Sequence, residues 1–234
     1  MKNHLYFLLV ILITSCSQTS KNTTVSGSIK GLQKGTLYLQ QVIDDRFKTL
    51  DSLEMISTTD FKLSCNLEEA ELLFLSLSKE IDAERISFFA EKGLTKINTS
   101  LKRFKYDAQI EGGIQQKLLE SYYKNIEQFK DQKLELLEAQ LNAQKEGNLE
   151  RSDSLQTKMD KIVKRSYLYS INFALNNKNS EVAPFIAVSE IYNANVKYLD
   201  TINSSRCLVP YEPSKYINRK KVLYLYVSVI NTIR

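Results

Sequence analysis

Histidine occurs once in this chain, at His4, and cysteine three times, at Cys16, Cys65 and Cys207. His4 falls in an N-terminal stretch that reads as a leader to be removed, so the chain that remains has no imidazole. That excludes Ser-His-Asp and Cys-His nucleophilic machinery, and any zinc or non-haem iron site built on histidine. The cysteines form no Cys-x-x-Cys, so dithiol redox chemistry of the thioredoxin type has no local motif. An excess of charge is scarce too: 32 basic side chains stand against 27 acidic ones. The compact basic run, Arg219-Lys220-Lys221, is too short for a nucleic-acid stripe, so no nucleic-acid partner is expected. Paired carboxylates are a catalytic device that needs no histidine. Asp44-Asp45, Glu68-Glu69 and Glu71 offer them, but at turn and strand-end positions where surface solvation accounts for acids. No catalytic, cofactor or metal site is expected, and the chain reads as a non-enzyme.

The N-terminus is the most informative stretch. Lys2 supplies a positive charge, Leu5 to Ile13 an apolar core, and Ile13-Thr14-Ser15-Cys16 a box of small residues closing on cysteine. The apolar run falls well short of the roughly 20 residues that span a bilayer, so it reads as a signal and not a retained helix. The pattern resembles bacterial lipoprotein signals, in which cleavage precedes the cysteine and lipid is attached to its sulfur. The resemblance implies residues 1–15 as signal peptide, Cys16 as the lipidation site and residues 16–22 as a serine- and threonine-rich tether. Several acyl chains, each buried methylene contributing about 0.8 kcal/mol, make such an anchor stable. The same resemblance implies the cell envelope, on the outer membrane. Because no acidic cluster follows Cys16, its periplasmic face is expected.

Residues 23–111 show short runs with period-two alternation, bounded by turn residues, and read as a β-domain. Strands are expected at Thr24 to Lys30, Thr36 to Val42, Lys48 to Ile56, Asp60 to Leu67, Leu72 to Ser78, Arg85 to Ala90, Leu94 to Thr99 and Arg103 to Ile110. The spacing suits an antiparallel β-sandwich or partly open barrel, with Leu72 to Leu77 central. Cys65 alternates with Phe61, Leu63 and Leu67 and points inward as a buried thiol. In an oxidising compartment Cys65 and Cys207 are also a candidate disulfide.

Composition changes at Gly112-Gly113, where a helical region, residues 112–200, begins. Ile114 to Glu146 lacks glycine and proline, with Leu118, Tyr122, Ile126, Phe129, Leu134, Leu137 and Leu141 on one face. After Gly147-Asn148 a second helix, about Leu149 to Asn176, continues through Leu155, Met159, Ile162, Val163, Tyr167, Ile171 and Leu175. A short turn between long helices makes an antiparallel hairpin. A short third helix, Val182 to Tyr192, follows the cap Asn179-Ser180-Glu181, with Pro184 in its first turn. The fold class is therefore α+β. Residues 201–234 have no settled structure: Val222 to Ile230 is a strand by propensity and a helix by spacing.

Several pieces together resemble one family. They are Val25 to Leu32 (VSGSIKGL), Gly35 to Leu39 (GTLYL), Leu50-Asp51-Ser52, Phe61-Lys62-Leu63 and Phe88 to Gly93 (FFAEKG). They are similar to the N-terminal β-domain known as domain of unknown function 4369, found in Bacteroidota lipoproteins ahead of helices and a thioredoxin-like thiol-disulfide interchange domain. Asn179 to Phe185 (NSEVAPF) resembles the opening of the last helix of that linker. The residues of the interchange domain, with their Cys-x-x-Cys, have no counterpart in this sequence, so its activity is not implied.

Three functions are open. The first is a membrane-anchored, non-catalytic binding or accessory module, whose partner is an envelope protein or a peptidoglycan or glycan fragment. The second is a truncated or split relative of a thiol-disulfide interchange lipoprotein, acting with a separate thioredoxin-like partner. The third is an enzyme working through carboxylates or tyrosines. Tyr122-Tyr123, Tyr167, Tyr169, Tyr192 and Tyr198 are either an interface rim or residues at the margin of a helical core.

Overall fold

The computed structural model describes residues 21–44 and 46–191, apart from the Val188 side chain. Cys16, Asp45, Tyr192, Tyr198, Cys207 and residues 222–230, on which expectations fell, lie outside them. Eight strands come first: β1 (Thr23–Lys30), β2 (Lys34–Ile43), β3 (Arg46–Ile56), β4 (Asp60–Cys65), β5 (Glu71–Ser76), β6 (Arg85–Ala90), β7 (Gly93–Ser100) and β8 (Gln109–Glu111). Helices α1 (Ile114–Lys145), α2 (Leu149–Asn176) and α3 (Val182–Ser189) follow.

The strands form two four-stranded sheets, ordered β4-β1-β7-β8 and β3-β2-β5-β6. The α+β expectation holds, as a sandwich followed by helices; no barrel closes among the described residues. Alternation explains the packing. Val25 and Ile29, Leu37 and Leu39, Leu63, Leu73 and Leu75, Phe88 and Ile97 meet between the sheets. β5 is central, as its composition implies, because both its faces are covered. Leu73 and Leu75 face the sandwich core, Leu72 packs against the helices, and Phe74 meets the edge of the Phe47 ring at 5.2 Å.

Two features differ from expectation. β1 and β7 run parallel: the chain crosses to the second sheet, returns as the antiparallel β4, crosses again and returns as β7 along β1, so that sheet is mixed. The eighth strand is short, and 101–107 are turns. The alternation of Phe104 and Tyr106 suggested a strand, yet Phe104 is buried while Tyr106 is exposed. Ser100 donates to Asp107 at 2.6 Å, and the Asp107 N–H to the Arg103 carbonyl, closing a local turn instead.

The hairpin forms as expected, with a different phase. α1 buries Leu119, Tyr122, Ile126 and Ala143, and half-buries Phe129, Leu136 and Gln140. These positions follow a heptad seam, at steps of three and four except from Phe129 to Leu136, where the intervening position, Lys133, is exposed. On α2, Ser152, Leu155, Met159, Ile162, Ser166, Tyr169 and Phe173 keep the same spacing. Leu134, Leu137 and Leu141 were expected on the inner face and are exposed, as is Val163. Polar and small residues take the seam in their place: Gln140 donates to Gln156 at 3.1 Å, Gln144 to Ser152 at 3.3 Å, and Ala143 allows close approach. Asn148 caps α2 by accepting from Arg151 N at 3.0 Å. α3 is shorter than expected, and Ser180 Oγ accepts from Ala183 N at 3.2 Å to cap it.

Candidate functional site

The sandwich and helices are held together by a polar joint at the start of α1. Glu91, in the turn after β6, accepts from Ile114 N at 2.8 Å and Gln115 N at 3.1 Å, satisfying two of the free N–H groups of the helix terminus. A carboxylate there also complements the helix dipole. Gly113 leaves room for it, since a Cβ would lie 1.6 Å from Glu91 Oε2. Gln115 Oε1 in turn accepts from Glu181 N at 3.0 Å and Val182 N at 3.4 Å, capping α3. Gln116, buried, accepts from Phe89 N at 2.9 Å with Oε1 and donates to Glu120 with Nε2. β6 is an edge strand, so Gln116 stands where a further strand would pair. Phe89 and Phe185 pack edge to face at 5.8 Å beside it.

Beyond the joint, aromatic rings fill the base of the hairpin. Tyr122 is fully buried, stacks on Tyr169 at 5.9 Å, meets Phe173 at 5.0 Å, and shares a 2.7 Å hydrogen bond with Ser170 Oγ. Tyr123, Tyr167 and Tyr169 are half-buried in the same cluster. These tyrosines therefore line the helical core, and the interface-rim alternative does not describe them. Burial raises the Tyr122, Tyr123 and Tyr169 phenols above the ordinary value of 10.0, with Glu190 adding to the first two. A raised phenol contributes stability that is full below pH 10 and lost as the pH climbs past it, because the unfolded chain gives up the proton first. The helices are expected to melt above about pH 10, with tyrosinate absorbance and helical ellipticity changing in one transition. Ionisation of these tyrosines with the ellipticity intact would contradict this.

Asp44, Glu68 and Glu69 are exposed and Glu71 is half-buried at the start of β5. Among the described residues no cluster of three or more acids, cysteines or histidines is placed to hold a metal. Cys65 points inward as expected, 5% exposed, and burial pushes its thiol from 9.0 to about 11, so little thiolate forms near neutrality. Its candidate partner Cys207 lies outside the described residues. Lys21 and Asn22, read as the end of the tether, are fastened to the sandwich. Lys21 Nζ donates to Asp51 Oδ2 at 3.2 Å and to the Ser64 carbonyl at 2.8 Å. Asn22 exchanges two hydrogen bonds with the Leu67 backbone at 2.8 and 2.9 Å. The joint itself was missed by sequence reasoning, whose only trace of it was the break at Gly112-Gly113.

Residues 23–119 match a family model described as Domain of unknown function (DUF4369). The match takes in the whole sandwich and the first turns of α1, and so contains Glu91, Gln115 and Gln116. No curated protein matches the chain. A solved structure titled "pT26-6p" is 10% identical, with 92% of this chain and 43% of that chain covered, so this chain spans less than half its length. Its TM-score is 0.18, too low to carry an argument.

Proposed function

We propose, for a chain whose residues 23–119 match the DUF4369 family model, a membrane-tethered, non-catalytic protein of the cell envelope. Its sandwich serves as a pedestal, and α1 and α2 as an arm that docks another envelope protein. The arm carries the reading. α1 has 32 residues, a length of about 48 Å at 1.5 Å per residue. It meets the sandwich at β6 and β8, near its own start, and the heptads past Phe129 extend about 24 Å further. Hydrogen bonds at the joint, of which the one from Phe89 N to Gln116 is buried, fix the arm to the pedestal. A spacer that holds a docking surface at a set distance needs this construction; a catalytic pocket does not.

The anchor fits the same reading. With lipid at Cys16 and the fold beginning at Lys21, the intervening chain reaches at most about 17 Å. The sandwich is thereby held close to the membrane, on the periplasmic face of the outer membrane. A photoreactive residue replacing Glu138 or Lys158, both exposed on the distal arm, is expected to capture a partner protein in intact cells. One replacing Lys62 on β4 is expected to capture none. Cys16→Ala should move the protein out of the membrane fraction and abolish capture. Adducts from Lys62 alone would overturn the docking role. A thioredoxin-like protein as the captured species would identify the partner of the split-relative reading.

A further inference from the structure

The two sides of α2 differ in charge. Arg151 reaches Glu146 at 3.7 Å, and the Arg165 guanidinium lies 5.7 Å from the centre of the Phe129 ring, so both flank the same side of the seam with α1. Lys158 lies one heptad from each, and Lys161 stands between Lys158 and Arg165 at helical steps of three and four. All four are exposed. They form a row of cations about 21 Å long, at 1.5 Å per residue. Among the described residues, Lys158, Lys161 and Arg165 make no ion pair. Counting back by heptads from Glu146, α1 sets Ala139 and Gln132 beside this row, with Asn142 and Glu135 outside them. The other side of α2 is the one on which α3 packs, since Ala174 is buried with Ala183 and Ile186. Asp160 and Asp153 lie two and three heptads before Ala174, and both are exposed.

We propose that the cationic side is where the arm docks, and that its partner is a protein presenting a row of carboxylates, as a helix with Asp or Glu on each turn does. This rests on the docking role of the arm and adds to it a side and a chemistry. Lys158, Lys161 and Arg165 have charge to spare, and the amides of Gln132 and Asn142 beside them donate hydrogen bonds to the same acceptors. The acidic far side repels such a partner, so charge selects the side as well as the partner. A bilayer of anionic lipid fits less well. It would press Glu135 and Glu146 against its phosphates, whereas a shaped protein surface passes between them.

Side-resolved crosslinking of the full chain in cells tests it. A photoreactive residue replacing Ser154, exposed in line with Lys158 and Lys161, is expected to capture a protein through a peptide rich in Asp and Glu. One replacing Val163, on the far side, is expected to capture at least about tenfold less. Lys158→Glu, Lys161→Glu and Arg165→Glu together should lower capture from Ser154 about tenfold or more. The same three positions changed to Gln, a milder variant for the fold, should lower it by about threefold, and added salt should weaken capture by the unaltered chain. Lys62→Glu, Lys96→Glu and Lys130→Glu change the net charge equally and should leave capture intact. Protein adducts from Val163 alone would leave the docking role standing and overturn this proposal. So would a captured peptide without carboxylates, adducts to phospholipid in place of protein, or equal losses from the two Glu sets. Adducts from neither site would overturn the docking role and this proposal with it.

Discussion

Gly27→Ala is expected to cost about 3 kcal/mol or more, enough to threaten folding of a domain of ordinary stability. Gly27 sits in the middle of β1, between β4 and β7, and a Cβ there would lie 1.8 Å from the Ile97 carbonyl oxygen and 2.6 Å from its carbon. The obstacle is backbone. No rotamer change relieves it, so the parallel β1–β7 ladder must separate, and with it the face that carries Val25, Ile29 and Ile97. Gly93→Ala is the control. It too has a positive φ, of 115°, but nothing lies within 4 Å of the added methyl, and a cost nearer 1 to 2 kcal/mol is expected for backbone strain alone, roughly. Chemical denaturation of the two variants checks this; equal losses would contradict the close-approach argument.

Tyr122→Ala is the second large effect, at about 3 to 5 kcal/mol. The ring is fully buried at the base of the arm, in contact with Tyr123, Tyr169 and Phe173. Its removal leaves a cavity where the hairpin meets α3. Tyr122→Phe keeps the ring and forfeits only the bond to Ser170, which still donates to the Ser166 carbonyl at 3.1 Å; about 1 kcal/mol is expected. Amide exchange in Tyr122→Ala should quicken along α1 and α2 before it quickens in the sandwich, since the two cores share little beyond the joint. Uniform quickening would show that the arm and pedestal are a single core, and a loss no larger than that of Tyr122→Phe would contradict the packing argument.

Local pattern carried the sequence a long way, and its failures have physical causes. Alternation found β1 to β7 because each places one face in a core. It failed at residues 103 to 108, whose alternation is just as regular, because Ser100 and Asp107 hydrogen-bond locally, and Phe104 turns inward while Tyr106 stays exposed. The parallel pairing of β1 with β7 was illegible, since register between distant strands leaves no local trace. Helix periodicity found both arms of the hairpin but chose the leucines over Leu136, Gln140 and Ala143. Apolar residues define a face only if something covers it, and amide pairs and a small residue build the seam instead. Glu91 stood in plain view within the family-like stretch FFAEKG. Its role joins it to α1, 23 residues on, and only the fold brings the two together.

The measurement that bears most directly on the docking arm is partner recovery by a shortened one. Deleting residues 132–145 and 149–162 removes two heptads from each helix, keeps the seam in phase, and preserves the turn Glu146-Gly147-Asn148. The arm should shorten by about 21 Å with the joint and the sandwich untouched. Affinity capture from membranes should recover the partner with the full chain and lose it with the shortened one, both being lipid-anchored and equally abundant. Undiminished recovery with the shortened arm would place partner binding elsewhere and contradict the account.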